Sequence, residues 1–218
     1  MALALRRRQD AAMEMAPLAQ LIVRREESAD FLSALQGRPA EEMARRMAAG
    51  HRAYVAWRGE EPAAWGWVAT RTAEIGELGA VFSLPPGERY LWNFVTRPAH
   101  RGMGIYPRLL DAIVRAEPAE AERFWIAYAP ENHASGSGIR KAGFATVAEL
   151  SFDARGRPAV QALEPDGGAA AAQMLGLPRA DQALTPCWRC VRAGHAADTC
   201  APGHCRCDYQ RAEIGCAA

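Results

Sequence analysis

Apolar positions along the chain recur with two different periods, and the changes of period divide it into elements. Residues 21–24 read as a short strand, and residues 26–36 and 39–49 as two helices. The second helix opens on Pro39, whose missing N–H would have had no partner in a first turn, and closes on Gly50. Residues 51–57, 63–72 and 90–96 are rich in Val, Trp, Tyr and Thr and are separated by Gly-Glu and Pro-Pro-Gly turns. That pattern predicts successive antiparallel strands. Ile105, Leu109, Leu110, Ile113 and Val114 then return at helical spacing, with Pro107 suited to the first turn, so a helix follows the third strand directly. Residues 124–128 predict a strand, residues 134–142 a short helix ended by Gly143, and residues 146–152 and 158–163 a closing pair of strands.

Composition sets the boundaries around this core. With 218 residues, half of them apolar, the chain can bury one ordinary core and has length left over. Residues 1–19 are rich in Ala, Met and Arg without a partner pattern, and read as an N-terminal extension, a frayed helix or extended start with no assigned role. Residues 20–163 form the main domain. Residues 164–185 turn to Gly, Ala, Pro and Asp and read as a linker with a short helix at 169–175. Residues 186–218 hold all six cysteines. A net charge of +1 gives no general attraction to phosphate backbones or anionic lipid. No apolar run approaches the roughly 18 residues of a membrane span, and the opening MALALRRRQD lacks the order of a secretion signal. The expectation is a cytoplasmic protein without a membrane partner, in which a cysteine cluster points to metal sooner than to disulfides.

The segment from Arg97 to Leu110 leaves a strand, passes Gly102 and Gly104, and enters a helix. The first N–H groups of a helix lack internal partners, the dipole there favours negative charge, and glycines let a backbone approach a pyrophosphate closely. Two glycines alone would equally make a tight connection. The residues around them add more. Thr96-Arg97-Pro98 followed by Arg101-Gly102-Met103-Gly104-Ile105 resembles the acyl-CoA signature of the GNAT superfamily of N-acyltransferases, Arg/Gln-x-x-Gly-x-Gly/Ala, with Tyr106 standing where the family usually has Gly or Ala. Downstream, Asn132-x-x-Ser135 and Lys141-x-Gly143-Phe144 resemble the family's Asn-x-x-Ser and Lys-x-Gly-Phe.

The resemblance covers about residues 20–163 and implies an α+β (α/β) fold: a mixed, mostly antiparallel central sheet flanked by helices. It implies acetyl-CoA as co-substrate and a small-molecule or protein amine as acceptor. The strands ending near Thr96 and Tyr128 would splay apart around the pantetheine arm. The cofactor residues carried over are Val95, Thr96, Arg101, Gly102, Met103, Gly104, Ile105, Tyr106, Asn132 and Ser135, with a backbone N–H near Val95 polarising the thioester. Gly136 and Gly138, costly in a helix interior, fit either a ligand's approach to the backbone or a frayed first turn.

Direct acyl transfer needs a held thioester, a path for the amine's proton and donors for the oxyanion, but no covalent nucleophile. That suits a main domain without cysteine. The family's leaving-group acid, a Tyr four residues before the Gly-Phe glycine, is replaced by Ile139. Tyr128 is the candidate acid, with Tyr106 also near the expected cleft. Glu88 is the first candidate base and Glu131 the second. The tryptophans at 57, 65, 67, 92 and 125 read as core or cleft lining. Ile139 also raises an alternative, a non-catalytic acyl-CoA sensor.

In the tail, Cys187-x-x-Cys190-x4-His195-x4-Cys200 has the spacing of a zinc knuckle, which makes these four the expected ligands of one structural zinc, with Cys205, Cys207 and His204 able to replace the second pair. Trp188 raises a third reading, a nucleic-acid adaptor, since knuckles stack bases on such aromatics. The tail's arginines are nearly offset by Asp198, Asp208 and Glu213, which argues against it.

Overall fold

The computed structural model describes residues 1–153, 155–180 and 184. In chain order the elements are β1 (Ala2–Arg7), β2 (Leu21–Glu26), α1 (Ala29–Gln36), α2 (Ala40–Ala48), β3 (Arg52–Arg58), β4 (Glu61–Ala69), β5 (Thr72–Ile75), β6 (Ala80–Ser83) and β7 (Glu88–Thr96). A 3₁₀ turn (Pro98–His100) leads into α3 (Ile105–Ala116), followed by β8 (Arg123–Tyr128), α4 (His133–Lys141), β9 (Ala145–Phe152), β10 (Pro158–Ala162) and α5 (Pro165–Leu175). Eight strands form one sheet in the order β10-β9-β1-β8-β7-β4-β3-β2, and β5 and β6 form a separate hairpin. Among the described strands of the large sheet, β7 and β8 are the parallel pair, joined by a crossover through α3, and the other neighbours are antiparallel. Among the described residues no helix is long and apolar enough to cross a membrane.

Alternate side chains of each strand serve opposite faces. On β7, Leu91 joins the layer beneath α3 and α4, with Leu109, Leu110, Ile113, Ile126 and Ile139. Tyr90 faces the other way, into the layer under α5 and the β5–β6 hairpin, and Trp92 packs against both that layer and the one under α1 and α2. The stripe expected of α3 is buried in full, from Ile105 to Val114. α1 is capped at its start by the Ser28 hydroxyl, which accepts from the Phe31 N–H.

Two stretches differ from their sequence reading. Residues 2–7 are no loose extension: β1 lies between β8 and β9, with residues 2–5 buried. A strand covered on both faces shows no alternation, and its Ala, Leu and Arg composition also suits a helix, so its place is set by non-local pairing. Residues 165–175 form a full helix packed on β9, β10 and β6, so the first part of the expected linker belongs to the fold. The expected zinc ligands Cys187, Cys190, His195 and Cys200 lie outside the described residues.

Candidate active site

Pairing between β7 and β8 runs only from Glu88↔Arg123 to Leu91↔Ile126. β8 continues to Tyr128 against β1, while β7 turns away. The register against β4 shifts between Trp65 and Trp67, and Asn93 takes a positive φ of 53°, the signature of a bulge that bends a strand. Phe94 lies over Gly66 so closely that a β-carbon there would stand 2.0 Å from its ring. A wedge therefore opens between residues 92–96 and the end of β8.

At the mouth of the wedge the chain makes the expected turn. Arg97 N–H bonds Ala63 O at 2.9 Å, and Arg101 Nε reaches back to Thr96 O at 3.2 Å. Gly102 and Gly104 adopt φ of 76° and 69°, which only glycine takes readily, and α3 starts at once, with no side chain capping its N-terminus. Its first N–H groups, those of Ile105 and Tyr106 among them, have no partner within the helix, and Pro107 adds none. A cleft of about 210 Å³ joins Arg101, Gly102, Gly104 and Ile105 of this turn to Ala134, Ser137, Gly138 and Lys141 of α4. The Thr96 hydroxyl and His100 Nδ1 border it, buried and without hydrogen-bond partners. Helix dipole, Arg101 and Lys141 together make the cleft attractive to an anion.

The structure thus brings together Thr96, Arg101, Gly102, Gly104, Ile105 and Tyr106, with Val95 at the wedge beside them. Met103 projects outward, its sulfur accepting from Arg58 Nη1 at 3.0 Å. Asn132 and Ser135 serve α4 itself: Asn132 Oδ1 caps the helix by accepting from the Ser135 N–H at 3.0 Å. Ser135 Oγ lies 3.5 Å from the Tyr106 hydroxyl, and burial pushes that phenol's pKa up. The rings account for the glycines of α4. A β-carbon on Gly138 would meet Tyr106 at 2.5 Å, and one on Gly136 would meet Tyr128 at 3.0 Å.

The candidate catalytic residues are placed far apart. Tyr128 ends β8 at the wedge, its hydroxyl 2.9 Å from Thr146 Oγ1. Glu88 and Thr96 are the two ends of β7, at most roughly 26 Å apart for a straight strand at about 3.3 Å per residue. The buried Glu88 carboxylate accepts from Trp125 Nε1 and pairs with Arg123, its cross-strand partner, so it fastens the closed end of the wedge. Glu131 lies in the turn between β8 and α4. Ile139 is fully buried in α4. Sequence reading passed over His51, which receives a hydrogen bond from Trp92 Nε1 at 3.0 Å on the opposite face of the sheet; a single histidine at a strand start carries no spacing that would reveal this.

Residues 21–144 match the family profile described as acetyltransferase (GNAT) family, and the chain belongs to that family. Among solved structures it is similar to a Bacillus subtilis acetyltransferase in complex with CoA, at 20% identity and TM-score 0.45, over 61% of this chain and 81% of that one. It is also similar to a GNAT-family acetyltransferase from Colwellia psychrerythraea, at 16% identity and TM-score 0.44, over 66% of this chain and 52% of that one. A GCN5-related N-acetyltransferase from Kribbella flavida shows 15% identity and TM-score 0.41, over 66% and 53%. The chain thus spans about half the length of the last two. No curated protein sequence matches it.

Proposed function

We propose that the chain binds acetyl-CoA at the turn after β7 and transfers the acetyl group to an amine by direct attack. The observation that carries this is the uncapped N-terminus of α3, reached through two left-handed glycines and opening into a cleft with Arg101 and Lys141. The pyrophosphate would meet the α3 N–H groups, and the wedge between β7 and β8 would take the pantetheine arm beside Val95 and Thr96. A backbone N–H of β7 near Val95 would polarise the thioester carbonyl. The amine nitrogen bonds the acetyl carbon, the C–S bond breaks, and the sulfur leaves with its electron pair.

Tyr128 is proposed as the group that protonates the thiolate, because it ends β8 where the strands part and its hydroxyl already sits in a hydrogen bond. Burial of Ile139 in the usual acid's position favours a second reading, an acyl-CoA sensor without turnover. Gly104→Glu places a charge and a β-carbon where φ is 69° and Arg108 Nη1 would lie 2.6 Å away. Calorimetric affinity for acetyl-CoA is expected to fall at least about tenfold, or about 1.4 kcal/mol. Unchanged affinity in the folded variant refutes the cofactor site. Tyr128→Phe is expected to lower kcat by about a hundredfold with acetyl-CoA affinity retained. Wild-type kcat in that variant removes Tyr128 from the chemistry, and binding without turnover on any amine establishes the sensor.

The tail is proposed to hold one structural zinc through Cys187, Cys190, His195 and Cys200. Three thiolates and an imidazole suit a closed tetrahedral site that takes no part in transfer.

A further inference from the structure

On the sheet face opposite α3, a cavity of about 340 Å³ lies between α2 and the β5–β6 hairpin, lined in part by Trp92. Trp92 is the first residue of β7 beyond its last pair with β8. The cavity therefore sits beside the point where the wedge begins, on the side away from the α3 turn. Its volume is that of a small-molecule pocket.

Its charges are of one free pair. Glu42 and Arg46 neutralise each other at 2.5 Å, and the Arg46 guanidinium lies 4.7 Å above the Trp92 ring and 5.2 Å above the Trp67 ring, so it forms part of the wall. Arg45 on α2 and Glu74 on β5 remain, both exposed and neither with an ion-pair partner among the described residues. Between them the wall is apolar at Trp92 and Val81. His51 adds a directed donor. Its Nδ1 accepts from Trp92, so a neutral ring carries its proton on Nε2. Burial, then the nearby Arg46 and Arg71, lower its pKa and favour that neutral form.

We propose that this cavity is the acceptor site and that the acceptor is a small amine that also carries a carboxylate, an amino-acid-like zwitterion with an apolar side chain. The carboxylate goes to Arg45, assisted by the His51 Nε2–H; the ammonium is drawn by Glu74; the side chain lies against Trp92 and Val81. One free acid is too few for a polyamine or an aminoglycoside, whose several cations each need a counter-charge. This rests on the acetyl-transfer reading. The ammonium gives one proton to solvent and the amine attacks the thioester carbon. C–N forms, C–S breaks, and the second nitrogen proton ends on the sulfur, giving an N-acetyl amino acid and free CoA.

The test uses the full chain, acetyl-CoA and two matched pairs of acceptors: L-leucine with 3-methylbutylamine, and L-phenylalanine with 2-phenylethylamine, compared at equal free-base concentration by release of CoA thiol. Each amino acid is expected to exceed its decarboxylated partner at least tenfold in kcat/KM, and Arg45→Glu to reduce that ratio at least tenfold. Turnover of the plain amines as fast as the amino acids, or a ratio unchanged in Arg45→Glu, overturns the acceptor class and leaves the transfer reading standing. If acetyl-CoA binds but none of the four is acetylated, calorimetry with N-acetyl-L-phenylalanine and N-acetyl-2-phenylethylamine decides. Preference for the acid that is lost in Arg45→Glu supports the carboxylate site independently of turnover, and no preference refutes it.

Discussion

Three glycines bordering the wedge stand where an aromatic ring fills the room of a side chain: Gly66 under Phe94, Gly136 under Tyr128 and Gly138 under Tyr106. The last pair bears on the departure from the family pattern at the end of the glycine turn before α3. Tyr106 brings a large ring where a small residue is usual, and α4 makes room for it by having no β-carbon at Gly138. In a helix interior, Gly→Ala normally gains up to about 1 kcal/mol. Here the new carbon would lie 2.5 Å from Tyr106 Cδ1, and overpacking of that kind costs about 1–3 kcal/mol. Gly138→Ala is therefore expected to lower stability in urea unfolding and to weaken acetyl-CoA binding by displacing Tyr106 in the cleft wall. In a Tyr106→Ala background the same substitution should be neutral or stabilising. Additive effects of the two changes would show that ring and glycine are not coupled. None of these pairs is visible from the local sequence, because Phe94 of β7 covers Gly66 of β4, and Tyr106 of α3 and Tyr128 of β8 cover glycines of α4.

At the scale of elements, the two ends of β7 do different work. Its C-terminal end bulges away and borders the cleft, and its first residue locks the pairing with β8 through Glu88, Arg123 and Trp125. Burial is the main cause that raises the Glu88 pKa, against the opposing pull of Trp125 and Arg123. A carboxyl whose folded pKa lies above its ordinary value of 4.5 contributes stability that is fully present below that value and is lost as pH rises through the folded pKa. Glu88→Gln should flatten this decline of stability with pH, and should leave kcat/KM for acetyl transfer within about twofold, since Glu88 lies at the closed end of the wedge. A large loss of kcat with unchanged stability would instead assign it the role of base. α3 was legible in the sequence because its 3.6-residue stripe is local, and the glycine turn because backbone chemistry demands those residues. β1 was not. Its Arg6 is buried and joins Asp111 of α3 at 2.9 Å and the Ala142 carbonyl, just after α4, at 2.7 Å, so the first strand ties together the two helices that wall the cleft. No spacing within residues 1–19 announces contacts so distant in sequence.

For the molecule as a whole, the question is whether the acetyltransferase-family fold and the cysteine-rich tail depend on each other. The large sheet draws on both ends of the described chain. β1 fills the place between β8 and β9, α5 covers β9 and β10, and Leu184 N–H still bonds Gln161 Oε1 at 3.3 Å. Among the described residues, those that line the cleft at the α3 turn run from Thr96 to Lys141. Residues 187–216 hold the six cysteines and few large apolar side chains apart from Trp188, Val191, Tyr209 and Ile214. So short a segment cannot offset its ordering entropy by burial alone, and metal coordination would supply the difference. Protein purified without chelator is expected to carry close to one zinc per chain by elemental analysis. Cys187→Ser should lose that metal while calorimetric affinity for acetyl-CoA stays within about twofold. Metal-free wild type with a protease-resistant tail would mean that something other than zinc orders it. A zinc-free variant that no longer binds acetyl-CoA would mean that the tail supports the cleft, and that the separation of the two parts is wrong.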